Sequence, residues 1–165
     1  AIAEFIDEVY GVFKRDRRLL PDDSLERAEV RRLMDWFLVK LEQDVTRFLV
    51  RERVLKLIMP KAQGGGEPDS KALRTARANI RQHMKYLDWL AGNRNWLAGQ
   101  ALTYADFAAV GALSSLDYLG EIKWHEAPRA KAWYQRIKSR PCMRPLLGDR
   151  IRIITPVPHY ADLDF

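Results

Sequence analysis

The sequence predicts an all-α protein, a bundle of five or six helices without a sheet. Apolar residues recur at helical spacing in several long stretches, and strand-like alternation does not persist anywhere in the chain. No internal repeat with a period of about 20–50 residues is present. A segment that starts at Thr103 also carries the signature of a helix N-terminus followed by a buried helix. Together these features favour packing of helix on helix around one core.

The first two helical segments occupy the N-terminal part of the chain. Apolar residues at helical spacing over residues 1–14 predict the tail of an amphipathic helix, and a polar stretch follows it. The next pattern predicts a long helix over residues 24–58, because its apolar positions repeat at intervals of about four: Leu33, Phe37, Leu41, Val45 and Phe48. Pro60 ends this helix, and the glycine-rich composition of residues 63–68 predicts a loop.

Three more helices are predicted in the rest of the chain. Their bounds, in chain order, are 70–92, 103–119 and 127–139. Gly92 is expected to supply the C-terminal cap of the first of them, and Gly120 ends the second. The third ends before Pro141, because the residue that precedes a proline disfavours helical backbone. A short turn at residues 143–149 then leads into an irregular tail.

Thr103 and Asp106 form a capping-box pattern at the start of the second of these helices. The hydroxyl of Thr103 is expected to accept from the Asp106 amide, while the carboxylate reaches back to the Thr103 amide. The residues that follow, 107–113, contain almost nothing polar, which indicates a helix buried on every side. An acid in such a helix needs a local partner, and the cap supplies one. We therefore interpret this pair as a structural helix cap and not as part of a catalytic site.

The composition is that of an ordinary globular domain. The chain has 165 residues, of which 47% are hydrophobic and 30% charged, so it is long enough to bury one core. A net charge of +6 favours an acidic partner or surface, although such a charge also serves solubility. A single cysteine, Cys142, excludes an internal disulfide framework and is typical of a reducing compartment.

Composition also argues against several kinds of site. The three histidines are scattered without the spacing of metal ligands, so no metal site is expected. No apolar run approaches the length of a membrane span, and the chain does not open with a secretory signal. Its first residues resemble the middle of a helix, so we expect the chain to be a fragment of a longer protein.

Two motifs resemble the helical C-terminal domain of glutathione transferases. These are Leu-Thr-Tyr-Ala-Asp at residues 102–106 and Trp-Tyr-Gln-Arg-Ile-Lys-Ser-Arg-Pro at residues 133–141. Residues 1–8 resemble the last helix of that family's thioredoxin-like N-terminal domain. The resemblance implies three segments. They are the end of a thioredoxin-like domain at 1–14, a helical domain of the glutathione transferase C-terminal type at 22–150, and an extended tail at 151–165.

Further motifs are similar to one branch of the family, the FtsZ-localised GST-like proteins of alphaproteobacteria. They lie at residues 94–99, 115–120, 138–141 and 159–165. Members of that branch bind filaments of the tubulin-like division GTPase FtsZ and are taken to be non-enzymatic. The resemblance therefore implies a bacterial cell-division regulator without a cofactor, a cytoplasmic homodimer that acts at the division site. Its partners would be FtsZ filaments or other division proteins.

The wider family implies an alternative, a working glutathione S-transferase with glutathione as its cofactor. Such an enzyme lowers the thiol pKa of glutathione so that the thiolate attacks an electrophile. The residue that stabilises the thiolate and the acidic-Ser motif that holds glutathione would lie in an N-terminal domain absent from this chain. The present residues contain no catalytic constellation of their own. A third option is an interaction domain like those fused to translation factors, where a basic surface meets RNA or a synthetase.

The tail is the first candidate partner-binding segment. Pro156 and Pro158 favour an extended, polyproline-like course, and acids alternate with apolar anchors beyond them. Such a pattern is typical of a linear docking segment. The alternative is that the tail folds back on its own helices, its acids meeting Arg144, Arg150 or Arg152. The candidate residues are His159, Tyr160, Asp162, Leu163, Asp164 and Phe165.

The long helix carries a second candidate group past its midpoint, formed by Asp44, Arg47, Arg51 and Glu52. In transferases this part of the helix borders the cleft between the two domains, and a partner surface would reuse that cleft. The alternative is that these charges form pairs within the helix.

Five cations form a stripe beside the apolar face of the next helix, with no acid between Ser70 and Tyr86. They are Lys71, Arg74, Arg77, Arg81 and Lys85. The stripe would suit an acidic filament surface, and the alternative is an ordinary solvated face. We do not expect nucleic-acid binding, because the chain lacks any recognised module for it. His83, on the same helix, is expected at the margin of the apolar face.

Overall fold

The helices follow one another with short connections in a computed structural model, which describes residues 2–11, 13 and 18–165. In chain order they are α1 (Ile2–Tyr10), α2 (residues 24–58), α3 (Ser70–Asn93), α4 (Tyr104–Tyr118), α5 (Pro128–Lys138) and α6 (Arg144–Gly148). Short 3-10 turns lie at Lys61–Gln63, Trp124–Glu126, Pro141–Met143 and Pro158–Tyr160. The described residues form two isolated bridges but no strand. The predicted all-α fold is therefore confirmed.

The long helix α2 has the predicted bounds and an unusual interior. The Asp23 carboxylate caps its first turn by accepting from the amides of Leu25 and Glu26, each at 2.9 Å. Three stretches of α2 have π-helical hydrogen bonding, Trp36–Lys40, Glu42–Thr46 and Arg51–Leu55. Between residues 33 and 49 the buried positions are Leu33, Phe37, Leu41, Val45 and Leu49, at strict intervals of four. Such positions drift by about 40° per step around an ordinary α-helix, and the wider π turns reduce that drift.

Two details of the predicted helices are wrong. Leu49, and not Phe48, continues the buried row of α2, because the π turns keep the interval at four. Gly92 does not end α3, which continues through Asn93 before Arg94 adopts extended backbone. A Cβ atom on Gly92 would lie 2.5 Å from the Arg129 side chain, so this glycine makes room for that side chain to cross α3. Gly120, in contrast, follows α4 in the left-handed region with φ of +69°, as its predicted role requires.

The core lies around α4, which packs against α2, α5 and the tail. Gly111 on the remaining side of α4 is exposed, so the prediction of a helix buried on every side is wrong there. Buried side chains of α2, α3, α4 and α5 form one apolar cluster that includes Leu33, Leu87, Leu113 and Ile137. α3 packs along α5, and α4 packs against both α2 and α5. No helix in the described ranges is long and apolar enough to cross a membrane.

Helix α1 is fixed to this bundle through its single buried polar residue. The Asp7 carboxylate accepts from the Leu19 amide at 2.8 Å and from Arg18 at 2.9 Å. The apolar side chains of α1 face away from the bundle, and Ile2 and Phe5 are 78% and 60% exposed. Residues 1, 12 and 14 of the predicted first segment lie outside the described residues.

Candidate functional site

Asp106 is the first of two buried carboxylates that organise α4. Its Oδ2 atom accepts from the Thr103 amide at 3.0 Å and from the Thr103 hydroxyl at 3.2 Å, which completes the carboxylate side of the capping box. Its Oδ1 atom accepts from the Leu97 amide at 3.0 Å and from the Trp133 indole at 2.9 Å. The carboxylate therefore ties the loop before α4 and helix α5 to one point. These contacts give Asp106 a structural role in this part of the fold.

Asp117, near the end of α4, is the second buried carboxylate, and the tail packs against it. Its Oδ1 atom receives the Trp124 indole N–H at 2.8 Å and lies 2.9 Å from Nε2 of His159. Its Oδ2 atom has no hydrogen-bond partner among the described residues and lies 4.0 Å from Nζ of Lys138. The side chains of Asp117 and Lys138 are completely shielded from solvent. One carboxylate thus contacts α5, the loop after α4 and the tail.

Lys138 completes this cluster from α5. Its ammonium donates to the carbonyl oxygen of His159 at 3.1 Å and lies 4.4 Å from the ring centre of Phe165. Burial lowers the pKa of Lys138, and the negative charge of Asp117 opposes that effect. A buried ammonium is stable only with such partners, and two of the three belong to the tail.

The first half of the tail is held by backbone and hydroxyl contacts to α4. The Tyr118 hydroxyl donates to the Ile154 carbonyl at 2.7 Å, and the Val157 amide donates to the Tyr118 carbonyl at 3.2 Å. Tyr160 is 2% exposed, and its hydroxyl lies 2.7 Å from that of Ser114. The tail contains a 3-10 turn at Pro158–Tyr160, so its predicted extended course is interrupted there.

The chain ends in an aromatic contact on the same body. The Phe165 ring stacks on His159 at a centroid distance of 4.7 Å and meets the edge of Trp124 at 5.7 Å. Gln135 donates to the Phe165 carbonyl at 3.0 Å. Of the six candidate tail residues, His159, Tyr160 and Phe165 therefore pack against the protein's own helices.

The other three tail candidates form an exposed segment between these anchors. Asp162 and Asp164 are exposed, and Leu163 is 40% exposed. The Asp162 carboxylate accepts from the Asp164 amide at 3.0 Å, which shapes the turn. The described residues contain no ion pair between these acids and an arginine, so the expected contacts to Arg144, Arg150 or Arg152 are not formed. The tail therefore packs on the body and leaves an acidic–apolar tip exposed, and docking of that tip on a partner stays a prediction.

The structure does not bring the four α2 candidates to one surface. Asp44 faces α3, where its carboxylate accepts from Lys40 at 2.7 Å and lies 3.2 Å from Nε2 of His83. Glu52 is buried, and its carboxylate accepts a hydrogen bond from the Asp69 amide at 2.6 Å. These two carboxylates therefore serve contacts inside the domain.

Arg47 and Arg51 are the two members of that group that remain exposed. The guanidinium of Arg47 lies 4.6 Å from the ring centre of Phe48. His83 is buried and not at the margin of its helix, because α2 covers it. Its burial lowers the pKa of the imidazole, while the Asp44 carboxylate opposes that shift.

The basic stripe on α3 divides into two parts. Lys71 and Arg74 are exposed near the start of the helix. Arg77 makes a two-point contact with Glu121 at 2.8 and 2.9 Å, and Arg81 and Lys85 line a cavity beside it. The stripe is therefore only partly a solvated face.

Sequence reasoning missed Asp117 and Lys138 as the residues on which the tail depends. Both lie inside motifs that carried the family resemblance, residues 115–120 and 138–141. An acid in an apolar helix and a lysine on a buried face were the available signals. Nothing in the helical spacing paired them with each other or with the tail. No group of three or more His, Cys, Asp or Glu side chains among the described residues is arranged to hold a metal ion.

Comparison with known proteins identifies the fold at the level of a family. Residues 26–141 match the glutathione S-transferase C-terminal domain. The whole chain is 43% identical to FtsZ-localized protein A of Caulobacter vibrioides and covers 69% of that protein.

Solved structures give the same result. A glutathione S-transferase from Sinorhizobium meliloti matches with a TM-score of 0.95 and 66% identity over 99% of this chain and 71% of its own. FzlA from C. crescentus matches with a TM-score of 0.89 and 43% identity over 100% of this chain and 70% of its own. The chain thus spans about 70% of the length of these relatives. It belongs to the glutathione S-transferase C-terminal domain family.

Proposed function

We propose that this chain is part of a non-enzymatic, GST-like cell-division regulator that binds FtsZ filaments through protein–protein contacts. The observation that carries the proposal is the 43% identity to FtsZ-localized protein A over all 165 residues, the tail included. The proposal includes a cytoplasmic location at the division site, with FtsZ or other division proteins as partners. We also propose that the protein forms a homodimer, as is usual in the family, and that it uses no cofactor.

The tail tip formed by Asp162, Leu163 and Asp164 is the contact surface we favour. Its flanks are anchored, because Tyr160 is buried on one side and Phe165 packs on Trp124 on the other. An anchored segment loses less conformational entropy on binding than a free one, which favours affinity. Two acids around one leucine also suit a partner with basic and apolar residues on one surface.

Arg47 and Arg51 are the second contact that the proposal retains. They are exposed on α2, whereas Asp44 and Glu52 are engaged inside the domain. We propose that the two arginines contact a partner by charge and that the two acids act only by positioning α2 and α3. His159, Tyr160 and Phe165 likewise support the tail tip rather than meet the partner directly.

A glutathione S-transferase remains the second candidate, because a relative with 66% identity is named as one. In that case glutathione would bind outside this chain, in the part of the relatives that it does not span. The described polar residues of the helical domain mostly contact one another. They do not form an open site that combines a nucleophile with a base.

The decisive experiment uses the complete natural protein that contains this chain. It is sedimented with FtsZ polymers, and in parallel tested for retention on glutathione-agarose and for turnover of a generic electrophile. Asp162→Lys and Leu163→Ser are expected to reduce co-sedimentation by about tenfold, since each removes a central contact. The matched controls are Glu67→Lys and Leu25→Ser, which change an exposed acid and an exposed leucine elsewhere.

Point variants are preferable to a deletion of residues 156–165. If the tail were only a docking segment, its removal would leave the melting temperature nearly unchanged. The contacts of Tyr160 and Lys138 favour a large fall instead, which would obscure any effect on binding. Retention on glutathione-agarose and turnover of the electrophile, without co-sedimentation with FtsZ, would overturn the proposed cell-division regulator in favour of the transferase. Equal losses in the variants and their controls would overturn the assignment to the tail tip.

A further inference from the structure

A cavity of about 480 Å³ opens at the far end of α2, away from α1 and the start of the bundle. It lies between α3 and the loop that follows α4, and the first part of the tail closes one side. Ile80, Met84 and Leu119 line it with side chains that belong to the apolar core. Val157 is the tail residue that lines the cavity. The cavity therefore has an apolar lining in direct continuity with the core.

One buried acid inside the cavity is already neutralised. Glu121 is 7% exposed and accepts from Arg53 at 2.7 Å and from Arg77 at 2.8 and 2.9 Å. Burial raises the pKa of Glu121, but the two guanidinium groups outweigh it and hold the pKa below its ordinary value. The charges of Glu121, Arg53 and Arg77 compensate one another, and these side chains shape the cavity wall.

Two further cations in the wall have no such partner. Arg81 and Lys85 lie one turn apart on α3 and line the cavity, and neither forms a hydrogen bond or ion pair with another described residue. Lys123 stands on the rim, 3.5 Å from Glu126. The wall thus holds five cations against two carboxylates, with Arg81 and Lys85 available to a ligand. The cavity favours a molecule that is both anionic and apolar.

We propose that this cavity binds an acidic, apolar peptide segment of a partner protein. Side chains at i and i+4 of a helix lie about 6 Å apart, so Arg81 and Lys85 present two charges at that separation. Alternate residues of an extended peptide lie about 6.6 Å apart and point to the same side. Two acids separated by one apolar residue therefore fit the α3 wall, while the apolar side chain reaches Leu119 and Val157 on the other wall.

The same lining argues against a nucleic acid as the occupant. None of the described residues that line the cavity is aromatic, so unpaired bases would find no platform for stacking. Ile80, Met84 and Leu119 would also place an apolar wall against a charged phosphate backbone, with no contact to compensate its desolvation. A peptide can place its carboxylates selectively beside Arg81 and Lys85, and a uniformly charged polymer cannot.

The test measures binding of a fluorescein-labelled peptide that alternates aspartate and leucine, by fluorescence anisotropy with the complete natural protein. We expect the double variant Arg81→Ser/Lys85→Ser to weaken binding by at least about tenfold. The matched control is Lys71→Ser/Arg74→Ser, which removes the same charge from exposed positions of the same helix outside the cavity. We expect that control to weaken binding by no more than about twofold, through long-range charge alone.

A second pair of probes tests the apolar half of the site. A peptide with serine in place of each leucine is expected to bind at least about tenfold more weakly, since it leaves the apolar wall uncovered. The proposal is overturned if both double variants weaken binding equally, or if the serine peptide binds as tightly as the leucine peptide. Decanoate or a single-stranded RNA that binds through Arg81 and Lys85 while the acidic peptide does not would also overturn it. None of these results bears on the tail tip, which is tested with FtsZ polymers.

Discussion

The ammonium of Lys138 and the Oδ2 atom of Asp117 lie 4.0 Å apart in a site from which solvent is excluded. A buried pair of this kind contributes little net stability, because desolvation offsets its attraction. Here the pair has a second role, because His159 contacts both members. Its imidazole lies 2.9 Å from Asp117, and its carbonyl oxygen accepts from Lys138 at 3.1 Å. The tail therefore docks on a charge pair that the bundle would otherwise leave partly unsatisfied.

Asp117→Asn is expected to lower the free energy of unfolding by about 3–5 kcal/mol, because Lys138 then keeps its charge without a counterion. Urea denaturation measures the change. Asp162→Asn is the matched control, since it changes an exposed acid of the tail and should alter stability by less than about 0.5 kcal/mol. The double variant Asp117→Leu/Lys138→Met should be more stable than Asp117→Asn, because it removes both charges. A double variant less stable than the single one would contradict this explanation.

Asp106 and Thr103 should contribute unequally to stability although they form one cap. Thr103→Ala is expected to cost about 1 kcal/mol, the usual value of an N-cap side chain. Asp106→Ala is expected to cost at least about 3 kcal/mol, because it strands the amides of Leu97 and Thr103 and the indole of Trp133. The two variants are compared by urea denaturation at one pH. Equal losses would mean that the contacts to Leu97 and Trp133 contribute nothing.

Glu29 predicts part of the acid sensitivity of the fold. Hydrogen bonds from Arg32 and Arg94 lower the pKa of Glu29 from 4.5 to about 2, against the opposing effect of partial burial. Its stabilisation is therefore fully present above pH 4.5 and is lost as the pH falls towards about 2. After allowance for solvent screening we expect about 1 kcal/mol.

The measurement is the free energy of unfolding of wild type and Glu29→Gln, taken from about pH 6 down to about pH 3. The variant should be less stable at the higher pH, and the difference should shrink as the pH falls. Glu42→Gln, an exposed acid on the same helix, is the control and should run parallel to wild type. A difference between wild type and Glu29→Gln that grows on acidification would refute the assignment.

The helical fold was predictable because its signals are local. The four-residue repeat of α2, Pro60, the capping box at Thr103 and the glycine after α4 each act within a few residues. The two errors arose where a distant element decided the outcome. Arg129 from α5 crosses Gly92, and no property of α3 alone indicates that contact. The shift from Phe48 to Leu49 follows from π turns, which apolar spacing does not distinguish from ordinary helix.

The candidate site was only half predictable for the same reason. The alternation of acids and anchors favoured a docking segment, which stays a prediction, and the structure leaves the tip of that segment exposed. Which residues are exposed depends on contacts with Asp117, Lys138 and Trp124, which lie far from the tail in sequence. The α2 candidates Asp44 and Glu52 contact His83 of α3 and the Asp69 amide just before that helix, and sequence spacing reveals neither contact.

Two glycines of one helical unit should respond to alanine in opposite ways. Gly120→Ala places a Cβ atom 2.5 Å from Cγ1 of Val157 and forces alanine to a φ of +69°. We expect a loss of at least about 1–2 kcal/mol, because left-handed backbone alone costs that much in a residue with a Cβ atom. Gly111 lies in the interior of α4, is exposed, and has open space at its Cβ position. Gly111→Ala should therefore stabilise the protein by about 0.5–1 kcal/mol.

Thermal and urea denaturation of the two variants check this pair directly. Because Val157 also belongs to the anchored part of the tail, Gly120→Ala should increase amide hydrogen exchange at Val157, whose N–H donates to the Tyr118 carbonyl at 3.2 Å. Gly111→Ala should leave that exchange unchanged, since it adds a methyl group on the solvent side of α4. A destabilised Gly120→Ala with unaltered exchange at Val157 would mean that backbone strain acts alone and that the tail does not depend on this glycine.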